Sequence, residues 1–194
     1  MKAHAIEQIC RKSREVYVYR RGDADFVGDG NACCVATWAR GLRPNDLLEL
    51  FGVAGSQGGI DLLERAGGPM LTDAMTEGDV LAKRLPDLVR ISDEEYVPFE
   101  AGEAVWLVAN RYLLPFGRAA GLNYFVRPDA DGYPHLIVKQ GMLLQAVIDP
   151  LFVGEAIADS LQQIADGVAR SVEYLDTCGT GEMSVDAQQT ALAV

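Results

Sequence analysis

Hydrophobic and polar positions alternate most clearly over residues 15–20 (Glu-Val-Tyr-Val-Tyr-Arg), where β-branched and aromatic side chains predict a strand. The stretch 22–30 (GDADFVGDG) breaks that period with Gly and Asp and reads as a loop. Asn31 is a good N-cap residue and Gly41 a good stop, so the pattern predicts a helix over 32–40. Pro44-Asn45-Asp46 starts a second short helix over 47–51, and 52–59 is another Gly-rich loop. Residues 60–66 predict a helical turn or two, and 70–85 a longer helix.

From residue 104 the pattern changes. The continuous apolar run 105–109 predicts a buried strand, and 122–126 another. A hairpin follows, with strands over 135–139 and 143–148 around a turn at Gln140-Gly141. Ile157, Leu161, Ile164, Val168, Val172 and Leu175 then recur at three- and four-residue steps, the stripe of an amphipathic helix. The small, polar residues 176–194 read as a flexible C-terminal tail. Helices first and strands later favour an α+β fold over a wound parallel sheet, built as one domain over 1–175.

Composition narrows the possible partners. At 194 residues and 49% apolar content the chain can bury one core. Its 28 acidic residues exceed its 17 basic ones, for a net charge of -11, which disfavours nucleic acid and anionic membrane surfaces as partners. The one candidate basic patch is Arg11, Lys12, Arg14, Arg20 and Arg21, for which a solvated charged face is the simpler reading. No apolar leader opens the chain and no run is long enough to span a membrane, so a cytoplasmic protein, or one delivered into a host cytosol, is expected. Cys10, Cys33, Cys34 and Cys178 lack disulfide-framework density and paired metal spacing, so no metal or other cofactor is expected.

The candidate chemistry gathers at three places. Cys33 or Cys34, in the first turn of a helix over 32–40, would lie at the positive end of its dipole, where free N–H groups lower a thiol pKa and can hold an oxyanion. His135 opens the first hairpin strand, and Asp149 follows the second. A turn at Gln140-Gly141 sets these two almost opposite, with Cβ atoms roughly 5 Å apart. A carboxylate there fixes the imidazole tautomer, the third role in a Cys–His–Asp triad. Against this, a lone His in a strand is commonly structural, Asp-Pro is a common turn starter, and paired cysteines are commonly small core residues.

The segment Gly30-Asn31-Ala32-Cys33 with Trp38, then His135, then Ile148-Asp149-Pro150 with Gly154-Glu155, resembles the papain-like cysteine proteases. The likeness is greatest to the YopT-like effector proteases of bacteria, and the picornaviral leader proteases are similar. It covers residues 28–41 and 133–155. The resemblance implies a helical N-terminal part, whose nucleophile helix packs on a C-terminal antiparallel sheet, and a protein or peptide substrate. It also implies cleavage of a peptide or amide bond, with self-processing at the C-terminal tail as one form. The family register sets the nucleophile at Ala32, with Cys33 and Cys34 one and two places late. Three readings follow: Ala32 stands where a cysteine belongs, Cys33 is the nucleophile in a shifted register, or the site is dead. The glutamine expected six residues earlier is replaced by Phe26-Val27, which leaves Asn31 or a nearby backbone N–H as oxyanion donor. Acyl transfer, deamidation or transglutamination would use the same triad, and a non-catalytic interaction domain would have kept the fold without the nucleophile.

Overall fold

The computed structural model describes residues 3–21, 24–51, 61–66, 70–117 and 119–151. The chain divides into Met1–Phe152 and Val153–Val194, and every described residue belongs to the first unit. The helix expected over 157–175, the tail from 176, Gly154-Glu155 and Cys178 lie outside the described residues. Among the described residues the protein is α+β, with two α-helices and a large, mostly antiparallel sheet. No helix among the described residues is long and apolar enough to cross a membrane.

The chain opens with helix α1 (Ala3–Ser13), which buries Ile6, Ile9 and Cys10 along one face. Arg11 and Lys12 in its last turn complement the helix dipole, and Arg14, at φ 63°, ends it with an N–H bond to the Cys10 carbonyl. Strand β1 (Glu15–Arg21) follows where the alternation predicts it. The next two elements differ from expectation. Residues 24–28 are not loop but strand β2 (Ala24–Gly28), and 32–35 are not the start of a helix but strand β3 (Ala32–Val35). A 3-10 turn over Thr37–Ala39 and helix α2 (Pro44–Leu50) complete this half, the latter as expected.

Local chemistry explains the reversal at β3. The Asp29 carboxylate accepts the N–H groups of Asn31 (3.2 Å) and Ala32 (3.1 Å), the bonding that would cap a helix. Here it closes a tight β2–β3 turn instead, with Gly30 at φ 93° supplying the left-handed residue. Gly28 lets the two strands close up, since a Cβ there would sit 1.6 Å from the Ala32 carbonyl oxygen. Beyond the turn, Ala32 and Cys34 face one core while Cys33 faces another, a period of two.

Residues 61–66 form strand β4 (Asp61–Ala66), parallel to β1, rather than a helical turn. The helix expected over 70–85 is also absent: residues 70–79 run as turns and lead into β5 (Val80–Arg84). Then come β6 (Val89–Ile91), β7 (Glu94–Ala101), β8 (Ala104–Ala109), β9 (Leu122–Pro128), β10 (Pro134–Gln140) and β11 (Leu143–Ile148). The sheet order is β4-β1-β2-β3-β11-β10-β9-β5-β7-β6, with β8 also on β7. A bridge from Leu107 to Leu151 brings β8 back against the residues after β11, so this half of the sheet curls round on itself.

The sheet has apolar groups on both faces. Val16, Val18, Val27, Leu136, Val126 and Ile148 share the larger core with α1 and α2. Phe26, Cys33, Ile137, Leu144 and Val147 make a smaller one on the opposite face, with Leu71. Cations fasten the 70–79 segment. Arg21 donates to the Leu71 carbonyl and Asp73, Lys139 to the carbonyls of Asp73 and Ala74, and Arg127 to those of Met70 and Ala74. Helical propensity in this segment therefore loses to bonds with partners on distant strands.

Candidate functional site

Hairpin β10–β11 places the acid–base pair. Its ladder runs Leu136 to Ile148 and Ile137 to Val147, which sets position 135 opposite 149. Nδ1 of His135 lies 2.6 Å from Oδ1 of Asp149. The Asp149 backbone N–H is held by the Asn31 carbonyl at 2.7 Å, so the end of β11 is anchored to the β2–β3 turn. The imidazole is 18% exposed and the Asp149 carboxylate 42%, at a cleft of about 230 Å³ that also includes Trp106, Tyr133 and Leu151.

A third group completes the arrangement. Asp129 stands in the turn between β9 and β10, where its Oδ1 accepts the N–H groups of Asp131 and Tyr133, both at 2.9 Å. Its Oδ2 lies 3.5 Å from Nε2 of His135, at the outer limit of a hydrogen bond. The imidazole therefore meets a carboxylate at each ring nitrogen. The Asp149 hydrogen bond is the main cause that raises the His135 pKa above 6.5; burial opposes it and Asp129 assists it. The backbone N–H groups of the turn hold the Asp129 carboxyl below its usual range.

Neither Ala32 nor either β3 cysteine lines this cleft. Ala32 pairs with Ile148 and packs in the larger core, the face opposite Cys33, so a thiol at position 32 would point away from the smaller core. Cys33 lies on that smaller-core face, paired with Val147, but only 7% exposed among Phe26, Ile137 and Leu71. Burial pushes its thiol up to about 12, the reverse of the lowering that a helix N-terminus would give. Cys34 is buried in the larger core with its thiol raised well above 9.0. The backbone N–H groups of Asn31 and Ala32 are occupied by the Asp29 carboxylate. Asn31 does lie beside the site, through its carbonyl. Trp38 packs against the larger core, with its ring edge on Phe51.

Compared with protein-family models, curated proteins and solved structures, the chain has no match. The site is therefore read from its own geometry. Sequence reasoning missed Asp129, Tyr133 and the place of Trp106. The Asp129-x-Asp131-Gly132 turn between two strands, six residues before His135, is the signal that folds a second carboxylate back towards the imidazole. Four of the five N-terminal basic residues are engaged in ion pairs: Arg11 with Glu7, Lys12 with Glu94, Arg20 with Asp25 and Glu64, and Arg21 with Asp73.

Proposed function

We propose that the protein is a hydrolase or acyl-transfer enzyme whose proton shuttle is His135, oriented by Asp149. The observation that carries this is the 2.6 Å contact between Nδ1 and the Asp149 carboxylate at a cleft. It fixes the tautomer, leaves Nε2, beside Asp129, as the nitrogen that exchanges the proton, and stabilises the imidazolium formed on proton transfer. This retains the His–Asp half of the papain-like resemblance. The β3 thiols do not supply the nucleophile, so water or a group of the second substrate attacks the carbonyl. Nε2 takes that group's proton and returns it to the leaving group.

Turnover of p-nitrophenyl esters and of acyl-amino-acid p-nitroanilides tests the reading. His135→Gln should lower kcat/KM by about 10²–10⁴-fold, the span of general acid–base catalysis, with Cys33→Ala close to wild type. Absence of turnover on the whole series, or turnover indifferent to His135→Gln, overturns it.

The second reading, a non-catalytic interaction domain, is favoured by one observation. With Asp129 beside Nε2, the imidazole ties the β9–β10 turn to the end of β11 and acts as a clamp. In that case His135→Gln costs stability and removes no activity.

A further inference from the structure

The cleft beside His135 has an unbalanced charge. Asp129 and Asp149 contribute two carboxylates and His135 one titratable cation, while no Lys or Arg among the described residues lines it. An anionic ligand would face repulsion here without a counter-charge. A cation would find both carboxylate oxygen and aromatic surface, because Trp106 and Tyr133 form part of the wall. Tyr133 is 64% exposed, so its ring remains open to a ligand.

Asp129 is arranged to receive such a group. Two backbone N–H groups fix its Oδ1, and its Oδ2 lies 3.5 Å from the imidazole, too long to be saturated by that contact. A carboxylate positioned beforehand loses little entropy on binding. A guanidinium fits these features better than an ammonium. It is planar, weakly hydrated, stacks on aromatic rings and offers paired N–H donors to a carboxylate. The volume of about 230 Å³ suits a head group of that size.

We infer that the His135 cleft binds a guanidinium side chain, placing an arginine-bearing substrate against the Asp129 carboxylate and the Trp106 and Tyr133 rings. This rests on reading the cleft as the reaction site and names the substrate class it takes. Asp129, Trp106 and Tyr133 are then binding residues, and Asp129 also helps to raise the His135 pKa. The chain's net charge of -11 adds a long-range attraction for cationic substrates.

Calorimetric titration of the full chain with Nα-acetylarginine amide, and separately with Nα-acetylcitrulline amide, tests the inference. The second probe keeps the shape and lacks the charge. The arginine probe should bind about tenfold more tightly than the citrulline probe. Asp129→Asn and Trp106→Leu should each weaken it about tenfold. Asparagine retains the oxygen that the turn bonds to, and thermal melting checks that both variants stay folded. Equal affinity for the two probes, no binding of either, or unchanged affinity in folded variants overturns the inference. Binding is read without turnover, so the two proposals separate. A silent arginine probe with His135-dependent hydrolysis removes only this inference, whereas a bound probe without hydrolysis removes only the catalytic reading.

Discussion

Arg127 and Asp79 form a doubly hydrogen-bonded ion pair, Nε to Oδ1 at 2.5 Å and Nη2 to Oδ2 at 2.7 Å, with side chains 2% and 0% exposed. The pair joins β9 to the start of β5, and the same guanidinium holds the carbonyls of Met70 and Ala74. Burial alone would raise the Asp79 pKa; bonds from Arg127 and Thr76 outweigh it and hold the carboxyl at about 2. Its usual value is 3.8, so the stabilisation is complete above that value and disappears as pH falls towards 2. It amounts to about 2 kcal/mol by linkage. Asp79→Asn should flatten acid unfolding over that interval. At neutral pH it should cost about 3 kcal/mol, because Arg127 is left buried without its counter-charge. Urea melts between pH 2 and 7 measure both.

The buried thiols set a second expectation. Cys10 and Cys33, each with its thiol pushed up to about 12, and Cys34, raised well above 9.0, should resist iodoacetamide at neutral pH in the native protein. All three should label once the chain is unfolded in urea. Mass spectrometry of a Cys178→Ser variant reads this directly, and rapid native labelling of Cys33 would return the cysteine-hydrolase reading to favour.

A third concerns the imidazole. Because its folded pKa is raised, His135 adds stability that is fully present below 6.5 and lost as pH rises through the folded value. Asp149→Asn removes the main cause, so the ring should titrate closer to 6.5 in ¹H–¹⁵N spectra. With a carboxylate 42% exposed to screening solvent, the stability difference should be about 1 kcal/mol at low pH, vanishing in alkali.

The close approach at Gly28 gives a fourth. Gly28→Ala places a methyl 1.6 Å from a backbone oxygen with no flexible side chain to yield. The β2–β3 pair must separate, at a cost of about 3 kcal/mol or more in thermal melts.

The hairpin β10–β11 was legible because two apolar runs, a central turn and flanking Pro134 and Pro150 all agree. That agreement placed His135 opposite Asp149. Residues 29–35 were not, because an Asx-type residue and a glycine serve a tight β-turn as readily as a helix N-terminus; the partner strand β11 decides between them. Residues 70–79 depend on Arg21, Arg127 and Lys139, partners that local periodicity cannot see. Strand β7 was hidden by Pro98, which pairs opposite Leu107 within the ladder. Helix α1 did leave a trace, in the spacing of Ile6, Ile9 and Cys10, overshadowed by its charged residues.

The seam between β3 and β11 joins strands from near opposite ends of the described chain. During synthesis, the segment carrying Cys33 and Cys34 emerges from the ribosome long before its neighbour exists, with one ladder edge unsatisfied. Loop closure over that separation makes the seam a late and slow event in folding. The hairpin that carries His135 is also what closes the sheet, so a truncated or stalled chain ending before it exposes an adhesive strand.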